Sequence, residues 1–228
     1  MRIFFGTRWA IGVCALVVGC FTLRARAVLN ADVTSPGDPI VGVAATVGSA
    51  TSNAAAIGTA AGLNNYPLNE NPPNAIDNVN TDKYLNFQKT GAGFIVTPSS
   101  GASILSGVHF VTGNDSPERD PLTISIEGTG SPNATNTLNS TWTLLFTGST
   151  GLETDPGRNA SGFTGIFVPK NPGAFTSYRL LVSSVRDTPA SANSFQFADV
   201  ELIGTTVPEP GVLGLVGVMG LAGVRRRR

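Results

Sequence analysis

The chain has 228 residues, no formal net charge, 13% charged residues, 27 Gly, 15 Pro, 2 Cys and a single His. That length fits one domain with appendages and excludes a large multidomain enzyme. The low charge and high Gly and Pro content exclude a coiled coil, and 41% hydrophobic residues exclude wholesale disorder. The neutrality conceals a partition: four Arg lie in the first 27 positions and four close the chain, whereas residues 28–207 carry 14 Asp and Glu against 7 Lys and Arg, a net −7. An acidic body repels phosphate backbones, so nucleic acid is not an expected partner.

Residues 1–27 read as an export signal. Arg2 and Arg8 form a basic start, and Ala10–Leu23 is an apolar run of 14 residues. A bilayer span needs roughly 20 such residues. Ala25-Arg26-Ala27 places small residues at the two positions that a signal peptidase reads, so cleavage is expected after Ala27. Val17-Val18-Gly19-Cys20 offers a competing reading, a lipobox whose Cys20 is acylated. Cleavage at Ala27 removes both Cys14 and Cys20, which leaves no thiol for a disulfide, a nucleophile or a thiolate metal site.

Residues 28–65 are rich in Ala, Gly, Thr, Ser and Asn, and predict an N-terminal strand followed by loosely specified loops. From Gly93 onward, short β-patterned runs alternate with Gly, Pro, Asn and Asp clusters: Gly93–Thr97, Ile104–Thr112, Leu122–Glu127, Thr141–Thr147, Gly162–Val168, Ser177–Val185 and Ser194–Ile203. Leu122, Ile124 and Ile126 alternate with Thr123, Ser125 and Glu127, which predicts one buried and one wet face. Trp142, Leu144 and Phe146 form a second alternating set, and Tyr178, Leu180 and Val182 a third. No segment of the mature chain shows a helical stripe. The pattern predicts an all-β fold, an antiparallel β-sandwich of jelly-roll type.

Two segments carry a resemblance. Asn74-Ala75-Ile76-Asp77-Asn78, followed by a polar loop to Asp82-Lys83-Tyr84, resembles the opening motif of discoidin-type, galactose-binding-like domains. Ala198-Asp199-Val200-Glu201-Leu202 resembles their closing strand, and Asp120-Pro121, Glu127-Gly128 and Trp142-Thr143-Leu144 fall between in the same order. The resemblance spans residues 66–204. It implies a structural calcium ion held by the carbonyls of Asn74, Val79 and Ala198, the carboxylates of Asp77 and Asp199, and Asp82. Calcium takes six to eight such oxygens. Asp82 and Asp199 depart from the Thr and Glu usual in these domains. Capping of a turn by Asp77 and Asp82 is the plainer alternative. Such domains also bind sugars through loops at one end of the sandwich, and here Tyr66, Arg119 and Arg158 are the loop candidates. Tyr84 stands at a position usually buried.

Catalytic constellations are poor. His109, the only histidine, lies within a strand and has no partners for a triad or a zinc site. Glu118 and Asp120 supply a carboxylate pair for glycoside hydrolysis, but the loop between Pro117 and Pro121 reads more simply as a turn held by an Arg–carboxylate pair.

Residues 205–228 complete the chain. Val207-Pro208-Glu209-Pro210 precedes an uncharged segment, Gly211–Val224, and then Arg225, Arg226, Arg227 and Arg228. As a helix, the apolar segment is roughly 21 Å long at ~1.5 Å per residue, short against a ~30 Å hydrocarbon core. The arginines favour the cytoplasmic side. The arrangement resembles the PEP-CTERM sorting signal of Gram-negative bacteria, in which an exosortase recognises Pro-Glu-Pro and removes the tail; an ordinary single-span anchor is the alternative. These readings describe an exported, non-catalytic protein with an inner-membrane intermediate, delivered to the cell surface or to extracellular polysaccharide. Its sandwich serves adhesion or glycan binding. A specific carbohydrate-binding module is the second reading and a glycan hydrolase the third.

Overall fold

The structure, a computed structural model, describes residues 31–167 and 169–207. The predicted signal segment with Ala25 and Ala27, and the tail from Pro208 to Arg228, lie outside the described residues. Among the described residues no helix is long and apolar enough to cross a membrane.

In chain order the strands are β1 (Ala31–Asp32), β2 (Ile40–Ala44), β3 (Asn53–Ala54), β4 (Ala56–Ile57), β5 (Asn65–Tyr66), β6 (Tyr84–Asn86), β7 (Ala92–Val96) and β8 (Ser103–Val111). They continue with β9 (Pro121–Thr129), β10 (Thr143–Ser149), β11 (Gly165–Ile166), β12 (Ser177–Val185), β13 (Phe195–Phe197) and β14 (Asp199–Thr206). A four-stranded sheet, ordered β1-β14-β8-β11, is accompanied by a six-stranded sheet, ordered β10-β9-β12-β7-β2-β3. Every pairing in these two sheets is antiparallel. The pairs β13-β6 and β4-β5 stand apart from both. The expected antiparallel β-sandwich is therefore what the chain forms.

The period-two pattern explains the core. Tyr178, Leu180 and Val182 of β12, Phe94 and Val96 of β7, and Ile124 and Ile126 of β9 belong to one buried cluster with Leu105, Val108 and Phe110 of β8 and Val200 and Leu202 of β14. Burying each such side chain stabilises the fold by about 1.5–3 kcal/mol. Phe110 and Phe197 meet edge to face at 5.1 Å, and Tyr84 packs edge-on against Phe195 at 5.6 Å and Phe197 at 5.9 Å. Tyr84 is buried, as expected; its hydroxyl donates to the Gly93 carbonyl at 3.0 Å, and burial pushes its pKa well up. Gly93 is required for close strand approach, because a Cβ there would collide with the Leu180 carbonyl.

Three expectations need correction. The outer face of β9 is not wet: Ser125 and Glu127 are fully buried. The chain after β2 folds back across the six-stranded sheet, and Trp142 and Ala134 join Val43, Ile95 and Leu181 in a second apolar cluster. Alternation also breaks in β10, where a bulge between Leu144 and Phe146 turns Leu145 into the core. The run Ser194–Ile203 is two strands: β13 pairs with β6, β14 pairs with β8 and β1, and Ala198 lies at the switch. Residues 28–65, expected to give one N-terminal strand and loops, supply β1 beside β14 and β2 beside β7.

Candidate functional site

A 3₁₀ turn at Pro72–Ala75 carries the chain into the loop preceding β6. It opens with proline and buries Pro72 and Ala75. Asn78 adopts a left-handed backbone with φ 62, which asparagine tolerates better than most residues. Its N–H donates to Asp199 Oδ1 at 3.2 Å, and the Val79 N–H donates to Asp77 Oδ1 at 2.9 Å. The loop is thus tied to the first residue of β14. The Asn74 amide donates to the carbonyls of Asn69 and Lys83, both at 3.1 Å, and so braces the loop with its side chain.

Acidic groups crowd this loop. Burial pushes the Asp199 carboxyl up to about 7; the Asn78 N–H opposes the rise, and the charges of Asp32, Glu201 and Asp77 add to it. Asp77 is also raised, by burial and by the neighbouring Asp82. Asp82 Oδ1 is buried and accepts no hydrogen bond. Among the described residues no three His, Cys, Asp or Glu side chains form a ready-made metal centre. The implied set takes at least three of its ligands from the carbonyls of Asn74, Val79 and Ala198. Mutually repelling carboxylates and an orphaned buried oxygen fit a hard cation that prefers oxygen.

A second charged cluster holds the neighbouring loops. Lys83, nearly buried, donates to Asp115 Oδ1 at 2.7 Å and Asn114 Oδ1 at 2.9 Å. Gln196 donates to the same Asp115 oxygen at 2.8 Å. Burial raises the Asp115 pKa, but Lys83 and Gln196 more than offset that and hold it low. Arg158 grips Asp120 with both arms, Nη1 to Oδ1 at 2.8 Å and Nη2 to Oδ2 at 2.7 Å, and also reaches Asp155 at 2.7 Å. Asp120 has no solvent exposure, so one of the two carboxylates named for hydrolysis is sealed beneath arginines. His109 sits beside Glu201, Nδ1 to Oε2 at 3.4 Å, on paired strands.

The three ligand candidates separate. Tyr66 is half-buried and edge-on to Tyr84 at 6.4 Å. Arg158 is consumed by Asp120 and Asp155. Arg119 is half-buried and lowers the Asp115 pKa through its charge. None of the three lines the recess that the structure places in the connection from β10 to β11. There Phe163 is 75% exposed. It borders a recess of about 200 Å³ together with Thr154, Pro156, Ser161 and Gly162. The connection is pinned: Gly162 N–H donates to the Phe110 carbonyl at 2.9 Å, Phe163 N–H to the Gly151 carbonyl at 3.0 Å, and Thr112 Oγ1 to the Gly157 carbonyl at 2.7 Å. Gly151 has φ +85, and a Cβ there would strike the Phe163 carbonyl. Sequence reading placed Phe163 inside a strand; the Gly-rich setting Ser161-Gly162-Phe163-Thr164-Gly165 was the available sign of a loop.

No family model matches the chain, and no curated protein does. Solved structures do. One is the pair of CBM32-1 and CBM32-2 domains of Clostridium perfringens ZmpB in complex with GalNAc, at 12% identity and a TM-score of 0.43, covering 62% of this chain and 31% of that one. A second is the family 32 carbohydrate-binding module of Streptococcus pneumoniae EndoD, at 13% identity and 0.41, covering 59% and 85%. A third is the family 32 module of C. perfringens NanJ in complex with galactose, at 9% and 0.42, covering 61% and 88%. The match thus spans under a third of the length of the first.

Proposed function

We propose that this chain is an exported, non-catalytic surface protein whose sandwich binds neutral glycans through the loop that carries Phe163. The observation that carries the reading is a large aromatic ring, 75% exposed, beside a pinned recess with two hydroxyl side chains, Thr154 and Ser161. The ring is free to meet a ligand because it is not packed into the core. A ring face suits the apolar C–H face of a sugar, and hydroxyls suit its rim. The resemblance to galactose-binding-like domains supports the same reading. Phe163→Ala is expected to abolish retention on an array of neutral glycans while leaving the melting temperature within about 1 °C, because an exposed side chain contributes little to stability. Equal retention of parent and variant overturns it.

The sorting half of the proposal rests on the tail. Signal peptidase acts after Ala27, the apolar stub Gly211–Val224 and the four arginines hold an inner-membrane intermediate, and an exosortase acts at Pro208-Glu209-Pro210. Mass spectrometry of the chain from native cells is expected to show a C-terminus near Pro210 and loss of Arg225–Arg228. Deletion of residues 208–228 is expected to abolish attachment to the surface. A mature chain that retains all four arginines overturns this half and leaves glycan binding standing.

A further inference from the structure

A second cleft lies at the opposite edge of the six-stranded sheet. It measures about 430 Å³, within the ~300–1,000 Å³ usual for ligand sites. Ala45 and Gly91 contribute backbone and small side chains, and Thr46, Thr51, Asn53 and Gln88 stand around it. Among the described residues no charged side chain lines it. Among the described residues the Thr46 and Thr51 hydroxyls and the Asn53 amide find no hydrogen-bond partner, and the Gln88 amide donates one N–H, to the Thr90 carbonyl at 3.2 Å. The cleft therefore offers neutral donors and acceptors and no charge.

One wall is held by an unusual device. Residues 48–52 cross the outer face of the sheet above Arg179 and Glu127, both fully buried. Glu127 Oε1 accepts from the Gly48 N–H at 2.7 Å, Arg179 Nη2 donates to the Ser49 carbonyl at 3.0 Å, and Arg179 Nη1 donates to Ser52 Oγ at 2.9 Å. A buried ion pair stabilises a fold poorly compared with apolar packing, so its three bonds to one loop point to positioning of that loop. We propose that this cleft is a second binding site, for an uncharged polyhydroxylated ligand of mono- or disaccharide size. Thr46, Thr51, Asn53 and Gln88 bind the ligand; Glu127 and Arg179 are positioning residues. The ligand class follows from the lining chemistry and does not need the Phe163 site. β10, which leads to Phe163, and β2, which leads to the cleft, are separated by four strand spacings, roughly 19 Å at ~4.8 Å each. Two sites so placed let one molecule bridge two chains of a polysaccharide and gain avidity.

The test is amide chemical-shift titration of the isotope-labelled full chain with four probes: methyl β-galactoside, N-acetylgalactosamine, cellobiose and chitobiose. At least one is expected to shift amides of residues 44–53 and 88–91 saturably. The double variant Asn53→Ala with Gln88→Ala is expected to weaken that binding about tenfold or more, since two hydrogen-bonding groups are lost. It should leave shifts around Phe163 unchanged. Asn53 is exposed and Gln88 half-buried, so neither substitution empties the core, and the retained spectrum checks folding. Shifts confined to residues 151–163 overturn the second site alone; shifts confined to the cleft overturn the Phe163 reading alone; none anywhere overturns both. Undiminished binding by the double variant also overturns the cleft.

Discussion

Glu127→Ala is expected to cost about 3–5 kcal/mol of stability, enough to lower the melting temperature by roughly 10 °C or more. The cost does not come from a lost attraction alone. Arg179 Nε and Nη2 both rest on Glu127 Oε2 at 2.7 Å, and neither side chain reaches solvent. Removing Glu127 leaves a guanidinium buried with only Ser52 Oγ, the Ser49 carbonyl and the face of Trp142, 4.6 Å from the ring centre. Burial already pushes the Arg179 pKa down against the pull of Glu127. Removing both charges together has another expected result. Glu127→Leu with Arg179→Met is expected to fall within about 1 kcal/mol of the parent, or above it, because no charge is left stranded. Hydrogen exchange at Gly48 should accelerate in that variant, since the Gly48 N–H has lost its acceptor. Chemical denaturation measures the first two effects. A single variant as stable as the double one would show that the pair is not paired in the folded protein.

The same pair marks where sequence reasoning stops. The strands of the core were legible because one rule, alternation, governs them: Ile124 and Ile126, or Leu180 and Val182, face inward with period two. The rule assigns the opposite positions to water only when nothing covers them. Arg179 between Tyr178 and Leu180, and Glu127 after Ile126, looked like ordinary wet-face residues. Their burial depends on residues 48–52, more than 70 positions away along the chain from Glu127, and no local pattern encodes that return. The loop ion pairs behave likewise: a turn held by an arginine and a carboxylate was legible, but the partner of Asp120 is Arg158 and not its neighbour Arg119. Phe163 was misplaced for the opposite reason. Its apolar character fitted a strand, whereas Gly151 and Gly162 permit the tight loop that lifts it out. The acidic loop was legible because Asp77 to Asp82 form a compact motif, whereas the strand that opens at Asp199 was not, because Ser194–Ile203 read as one run.

That loop supports a prediction whose sign is fixed by the carboxylates. The calcium ion that the resemblance implies would bind the folded chain and not the unfolded one, and so would stabilise it by mass action, about 2.7 kcal/mol at a hundredfold excess over Kd. The melting temperature of the calcium-loaded chain at pH 8 is then expected to fall by about 5–10 °C on adding a chelator. The effect depends on pH. The Asp199 carboxyl is raised to about 7, far above its unfolded value of 3.8. A raised acid contributes stability that is fully present below the unfolded value and is lost as pH rises through about 7. Without metal, this group makes the fold weaker at pH 8 than at pH 5. Calcium bound there would reverse the balance by neutralising the charge of Asp77 and Asp199, and protons would compete with it at Asp199 as the pH falls through about 7. The gap between calcium-loaded and chelated melting temperatures should therefore be wide at pH 8 and nearly closed at pH 5. Asp77→Asn is expected to shrink the gap at pH 8 and to raise the chelated melting temperature, because one repelling charge is gone. A parent chain that melts at the same temperature with and without chelator at pH 8 does not hold calcium in this loop, and Asp77 then serves only to receive the Val79 N–H.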